Sequence, residues 1–438
     1  MSADDNAKRV FDYSPITRYI ETEADRRMVS RWTLLGGALA RAALATPHTW
    51  LLPAIVEDHA GLNQLILFTG PSGSGKGAGK AEIFDWPDTD PYDAEEGHQR
   101  LADVFVPVTV ASGEAFGSLF VETQQMPAPD GGKGKVPVSV RIRYAAWVDF
   151  DEVDQVAAIG GRQGSTLTLE IRKAWSGSGI GTHTKVKANR ATVPAHAYRL
   201  VVTVAAQPLR CGPIFEEEAG GTLQRVLWLD SSVPVSDEDD DEDLDATPPR
   251  PMKITLPKFP TTTGTYFFDV DPEIRREIRR DRRRQKWQDE DAHRNLVKLK
   301  AAAAFAVLHG STSVTPEVWE VAEAIMSHSD GVRASVRREL DKERSVQMVT
   351  RADANARMEV ISASKRELMV VAVAKKLDTW LRDHHTQAPT ANELKQKAVT
   401  GADRSLVADA LDLLIEREKV KVCGESRVGT PLYGVTSL

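Results

Sequence analysis

Gly70-Pro71-Ser72-Gly73-Ser74-Gly75-Lys76 concentrates more potential chemistry than any other stretch of this sequence. Four residues separate its first and last glycines and a lysine follows, the G-x-x-x-x-G-K spacing of a phosphate-binding loop. Glycines there let successive backbone N–H groups turn inward around phosphate oxygens. Lys76 would reach the β- and γ-phosphates of a nucleotide. The motif requires a buried strand before it and a helix after it. Leu65-Ile66-Leu67-Phe68 supplies the strand as a short continuous apolar run. A helix opening at the loop would add the positive end of its dipole. One position departs from the pattern. Gly77 stands where a Ser or Thr hydroxyl would ligate magnesium, so either water fills that place or the ion binds weakly. Lys80 is a competing lysine, but no glycine precedes it at the required spacing. The cofactors expected are ATP and Mg²⁺.

A phosphate loop of this kind works with a carboxylate on the metal side and a second group that orients the attacking water. Ala145-Ala146-Trp147-Val148-Asp149-Phe150-Asp151-Glu152 reads as a strand ending in that pair. Asp151 is expected on the metal side and Glu152 as base or water-positioner, with Asp149 and Asp154 as near alternatives. Another buried strand, Tyr198 to Ala206, is followed by Gln207, whose amide would sense the γ-phosphate. A last short strand, Val226-Leu227-Trp228-Leu229, is preceded by Gln224-Arg225. An arginine there cannot easily reach its own loop but can reach a neighbour's in a ring. Gly220 and Gly221 would free the chain to project it, and Arg210 and Arg172 are alternative fingers.

These residues need a scaffold. The order expected is a helical segment over 1–48, alternating strands and helices over 49–235, an acidic and proline-rich linker over 236–255, a helical lid over 256–350 and a small domain over 351–438. A strand near Val104 to Val110 would complete the core. The fold class that follows is α/β: a P-loop core of the AAA+ type with a helical lid and a C-terminal winged helix. In that last segment Val370, Val373, Leu377 and Trp380 form one apolar helical stripe. Thr390 with Glu393 is a capping box opening a second helix. Leu406, Ala410, Leu413 and Leu414 mark a third, and Val420-Lys421-Val422 and Leu432-Tyr433-Gly434-Val435 pair around a turn.

Composition limits the alternatives. The 438 residues are 41% apolar, enough for two to four domains with cores of their own. The longest apolar stretch, from Leu34 to Ala45, is interrupted by Gly36, Gly37 and Arg41 and is too short to span a membrane. The N-terminal residues lack the basic-then-apolar order of a signal peptide. Cys211 and Cys423 are the only cysteines, too few for a zinc knuckle or a disulfide framework, which fits a reducing cytoplasm. The net charge of -7 would disfavour nucleic acid, but residues 237–245 hold eight acidic side chains in nine positions. Without them the remainder is close to neutral. The run reads as a solvated linker, or as a DNA mimic covering a basic groove.

Several longer stretches then resemble the helicase portion of primase–helicase proteins from actinobacterial phages and mobile elements. They are Asp151-Glu152-Val153-Asp154, Arg162-Gln163-Gly164-Ser165-Thr166-Leu167, Ala174-Trp175-Ser176-Gly177, Tyr198-Arg199-Leu200, Gln207-Pro208 and Gly221-Thr222-Leu223-Gln224-Arg225-Val226-Leu227-Trp228. Residues 296–333, with Leu308-His309-Gly310 and Val314-Thr315, are similar to the lid of those proteins and of the minichromosome-maintenance helicases, whose arginine finger also precedes the last core strand. The resemblance covers about residues 60–335. Nothing here resembles the primase–polymerase portion, so priming is not implied. It implies a ring, expected to be a hexamer, acting on single-stranded or forked DNA, with a possible replication partner protein.

DNA would be held by two insertions. Residues 127–143 read as a hairpin with Lys133 and Lys135 at its tip, and residues 176–196 carry His183, Lys185, Lys187 and Arg190 among Gly and Thr. Lysines on such pore loops follow phosphates without reading bases. Residues 275–284 hold seven arginines among Glu277 and Asp281, as a solvated helix or a nucleic-acid patch. The C-terminal segment offers Arg404, Lys419, Lys421 and Arg427 to DNA, but its third helix carries Asp409, Asp412, Glu416 and Glu418, which suits protein docking equally. Two functions fit: an ATP-driven DNA translocase or helicase replicating a phage or mobile element, or an ATP-dependent switch, loader or DNA-binding regulator that is not a motor. A small-molecule kinase would leave the insertions and the C-terminal domain without a purpose.

Overall fold

The computed structural model describes residues 3–89, 99–127, 134–160, 166–182, 191–216, 221–233, 250–260, 264–284 and 293–436. The chain is mixed α/β, and it divides into two compact units, Met1–Asp341 and Lys342–Leu438.

The centre of the first unit is a four-stranded parallel sheet. Its strands are β1 (Gln64–Thr69), β2 (Ala145–Phe150), β3 (Arg199–Ala206) and β4 (Val226–Asp230), in the order β4-β1-β3-β2. Every residue of these strands is buried except Asp230, so both faces are covered and alternation disappears from the sequence. The further strand expected near Val104 to Val110 is reduced to one parallel bridge, between Val108 and Val148. Pro107 brings no N–H to a ladder at that edge, and the residues just before it form the short helix Leu101–Val104.

Three helices precede the sheet: α1 (Ala3–Phe11), α2 (Pro15–Arg26) and α3 (Arg31–Leu44). Ser14 and Thr17 cap α2 reciprocally, each side chain accepting from the other's backbone N–H. All of α3 except Arg31 is buried. Its small residues bring the helix backbone against the sheet. A Cβ on Gly36 would lie 2.5 Å from Leu229 and 2.6 Å from Phe68, and one on Gly37 would lie 1.9 Å from the Gly79 carbonyl oxygen. The interrupted apolar stretch is therefore a central packing helix. Among the described residues no helix is long and apolar enough to cross a membrane.

Helix α4 (Val153–Gly160) and helix α5 (Leu167–Ser176) follow β2. Helix α6 (Pro272–Arg284) is the arginine-rich segment; Ile274 and Ile278 are buried, and Arg275 and Arg279 donate to the carbonyls of Val270 and Ile55. Helix α7 (Arg294–Leu308) packs its alanines on α3 and is buried from Val297 to Leu308. The long helix α8 (Pro316–Asp383) contributes its first part to this unit, where Ser329 Oγ accepts from the Trp228 N–H.

The second unit contains the end of α8, α9 (Ala391–Lys397), α10 (Val407–Glu416) and an antiparallel hairpin of β5 (Val420–Glu425) with β6 (Pro431–Val435). Thr390 accepts from the Glu393 N–H, and the Glu393 carboxylate accepts from the Thr390 N–H, closing the capping box. Val373, Leu377, Leu394, Val407, Ala410, Leu411, Leu414 and Val420 form a separate core. Asp409 and Asp403 pair with Arg366 and Lys376 of α8.

Candidate functional site

All four core strands run the same way, and the phosphate-loop motif begins where β1 ends. Gly70 N–H donates to the Ala206 carbonyl at 3.2 Å, tying the loop to the end of β3. Gly73 and Gly75 have φ of 81° and 77°, left-handed backbone that only glycine adopts freely. Left-handed residues alternating with ordinary ones form the concave backbone that collects N–H groups around an anion. Gly70 is needed for space, because a Cβ there would lie 2.5 Å from Ser231 Oγ and 2.6 Å from Ser74 Oγ. Those two hydroxyls are 2.9 Å apart, which anchors the loop to the end of β4. Pro71, Ser72, Gly73 and Gly77 are exposed. Lys76 Nζ donates to the carbonyls of Pro71 at 2.6 Å and Gly70 at 3.2 Å, so it folds over its own loop.

The helix expected after the loop is absent. Lys76–Lys80 is a single 3₁₀ turn, and Ala81 returns to extended backbone. Gly77 and Gly79 each disfavour helix by roughly 1 kcal/mol, and Pro87 follows close behind. Helix α3, which comes from before the strand, packs against this turn and β1. Gly79 is buried against Phe68, where a Cβ would lie 2.7 Å from the ring. From α3, Arg41 donates to the carbonyls of Lys80 at 2.5 Å and Gly79 at 3.3 Å and lies over the Trp147 ring. Burial lowers its pKa to about 10.

The carboxylates at the end of β2 meet Lys80. Lys80 Nζ donates to Asp149 Oδ2 at 2.8 Å and to Asp151 Oδ1. Asp149 is nearly buried, and its other oxygen accepts from Thr203 Oγ1 at 2.6 Å. Thr203 Oγ1 in turn accepts from Trp147 Nε1 at 2.8 Å. The Lys80 hydrogen bond is the main reason the Asp151 carboxyl titrates below its ordinary range. Burial opposes the Lys80 charge, but the hydrogen bonds it donates to Asp149 and Asp151, with their negative charges, outweigh it and raise its pKa. Glu152 is exposed at the start of α4. Asp154 lies 4.0 Å from Arg210.

This donor set does not fit a resident magnesium ion. Asp149 and Asp151 are bridged by an ammonium group, and position 77 brings no hydroxyl. Asp151, expected on the metal side, is paired with Lys80 in this structure.

Gln207 directly follows β3 at the loop end of the sheet and is half-buried. Arg225 lies at the other end. It precedes β4, turns back on its own chain, donates from Nη1 to the Gly221 carbonyl at 2.6 Å and lies over the Trp175 ring at 5.3 Å. Burial, and secondarily Arg172, lower its pKa. A water-sized cavity of about 10 Å³ separates it from Gln64 and from Lys300 of α7.

Both insertions leave from this same end, before β2 and β3. The first is an antiparallel ribbon, Val121–Pro127 with Lys135–Arg141; Lys135 is exposed at its start, and Lys133 lies outside the described residues. The second is a shorter ribbon, Ile180–Thr182 with Ala191–Val193; Lys185, Lys187 and Arg190 lie outside the described residues.

Three residues have roles here that the sequence did not assign. Lys80 had a signal, a second Gly-Lys pair, but nothing in the spacing says which lysine faces the carboxylates. Thr203 had one as well, as the single polar residue within Leu200-Val201-Val202-Thr203-Val204-Ala205-Ala206. Arg41 had none beyond being a charge in an apolar helix. No protein-family model matches the chain, and no curated protein matches it.

Proposed function

We propose that the chain is an ATP-binding P-loop ATPase whose nucleotide cycle acts on DNA, as a ring-forming translocase or helicase. One observation carries the nucleotide part. A glycine loop with left-handed turns sits at the carboxyl end of the parallel sheet, on β1, which lies between β4 and β3. Crevices at the carboxyl ends of such strands are where open α/β sheets take their ligands. Beside it stand Lys76, the Asp149–Lys80–Asp151 group, Glu152 and Gln207. Loop N–H groups and Lys76 hold the triphosphate, Glu152 orients water, and Gln207 reads the γ-phosphate. The sheet order β4-β1-β3-β2, extended at its edge by Val108, supports an AAA+ type core. The helices and hairpin of the second unit support a winged helix.

The DNA part rests on the two ribbons and the family resemblance. Arg225 would act in trans only by leaving the Gly221 carbonyl, and that inward geometry favours the second reading, a nucleotide-gated switch that is not a motor. The test is phosphate release from ATP by the full chain, with and without DNA, followed by strand displacement on a forked duplex. A motor separates the strands. A switch hydrolyses and leaves them paired. Absence of both nucleotide binding and hydrolysis overturns the P-loop reading.

A further inference from the structure

The lysine between the two carboxylates occupies the region where a nucleotide site of this shape would place its metal. Three observations converge there. The first is the pairing: Lys80 Nζ bridges Asp149 Oδ2 and Asp151 Oδ1, which uses two of its three N–H donors. The second is the path of the side chain. A Cβ built on Gly77 would meet one heavy atom only, Lys80 Cε at 3.9 Å, so the lysine stem lies beside the position that lacks a hydroxyl. Glycine is not imposed there by crowding. The third is rigidity. Arg41 grips the Lys80 carbonyl from a buried position, and Thr203 fixes Asp149 so that Oδ2 is the oxygen presented to the ammonium. The group is also accessible, since Lys80 is about one-third exposed while Asp149 is nearly covered.

We propose that Lys80 is a nucleotide-binding residue that supplies the cation a P-loop site ordinarily takes from magnesium, so that a nucleoside triphosphate binds this chain without a divalent metal. The inference rests on the P-loop reading above. Lys80 keeps its bonds to Asp149 and Asp151 and turns its third N–H toward the phosphates, while Lys76 leaves the carbonyls of Gly70 and Pro71 to do the same. The two ammonium groups then flank the phosphate chain. A hydrogen bond between charged groups contributes roughly 1.5–3 kcal/mol, which is about a 10- to 100-fold change in affinity.

The test is a titration of the full-length chain with a fluorescent ATP analogue, once in EDTA and once in excess magnesium. The wild-type dissociation constants should agree within about threefold, well below the tenfold that a lost charged contact produces. Lys80→Ala should bind about 10-fold or more weakly in EDTA and recover in magnesium, because Asp149 and Asp151 are then open to the ion. Lys80→Arg, which keeps the charge, should stay independent of metal. A wild-type protein that loses tenfold or more in EDTA, with Lys80→Ala showing the same ratio, overturns the proposal and returns Lys80 to a structural ion pair. The wild-type ratio alone decides the matter if Lys80→Ala does not fold. Absence of binding in both buffers, with Lys76→Ala indistinguishable from wild type, overturns the P-loop reading itself.

Discussion

The two ends of the parallel sheet hold their cations in opposite ways. At the carboxyl end, Lys80 is paired with two carboxylates and Lys76 rests on the open rim of a loop. At the amino end, Lys300 is fully buried, donates to the carbonyls of Asn63 at 2.8 Å and Trp175 at 2.5 Å, and lies 3.8 Å above the Trp175 ring. Burial, together with Arg199 and Arg225, pushes its pKa well down. Arg199, wholly buried, donates to the carbonyls of Thr46, Pro47 and Trp50. A cation that faces side chains and solvent can be offered to an incoming anion at little cost. One that closes off main-chain carbonyls cannot leave without stranding buried acceptors. Lys76 and Lys80 are thus open to a ligand, whereas Lys300 and Arg199, like Arg41 beside the Lys80 turn, hold the fold.

The sharpest way to break this contrast is Lys300→Met. Two buried carbonyls would lose their donor, and stability should fall by about 2–5 kcal/mol, read from denaturant unfolding. A loss below about 1 kcal/mol would show that the amino-end cations are dispensable. Lys76→Ala should do the reverse. ATP hydrolysis should drop by about 100-fold or more, while the unfolding midpoint stays near that of wild type. Glu152→Gln should leave nucleotide bound and uncleaved. Normal turnover in Lys76→Ala would remove the carboxyl end from the chemistry.

Acid should act through the buried histidines at both ends, since burial also lowers His328, which accepts from the Asp230 N–H at the end of β4, to about 3. Burial lowers His48 to about 4, helped by Arg199 and Arg141, and lowers His293 to about 4, helped by Arg225 and Lys300. Both are neutral in the fold and take up protons more readily unfolded. Their contribution is therefore complete above the ordinary histidine value near 6.5 and is lost as the pH falls from there through about 4. Asp151, lowered instead, contributes above the ordinary carboxylate value and loses its effect only at more acid pH. Thermal unfolding from pH 7 to pH 4 should show the loss, and His48→Gln with His293→Gln should reduce it, leaving the part that His328 contributes. An unchanged slope in that double variant would move the acid sensitivity elsewhere.

Arg225→Ala should cost little stability, about 1 kcal/mol for one carbonyl left without its donor. Its functional effect separates the two readings of the protein. In mixed assemblies of Lys76→Ala and Arg225→Ala subunits, recovered ATPase activity assigns the arginine to a neighbour's site. Co-assembly without recovery assigns it to its own chain's amino-end cluster.

Much of this was legible in the residues. Leu65 to Phe68, Ala145 to Phe150 and Tyr198 to Ala206 declare buried strands because apolar runs of that length between polar turns have few other uses. The glycine spacing marks the loop, and the Thr390–Glu393 box marks a helix start, since both signals are local and fixed by backbone geometry. The helix after the loop was misread because the motif promised it, while Gly77 and Gly79 act against it. The role of α3 was hidden because a helix buried all round has no polar face to reveal its orientation.

What the sequence determined by itself is therefore local: which segments are strands, where the glycine loop turns, which acids end a strand and where the helices cap. What only the tertiary structure decided is which charges meet. Lys76 and Lys80 are four residues apart and chemically identical, and Arg41, Asp149 and Thr203 come from distant segments. Lys80 meets the carboxylates from a 3₁₀ turn that packs on α3 and whose end Arg41 holds in place. Pairing depends on the three-dimensional path of the backbone and on burial, and neither leaves a period in the sequence.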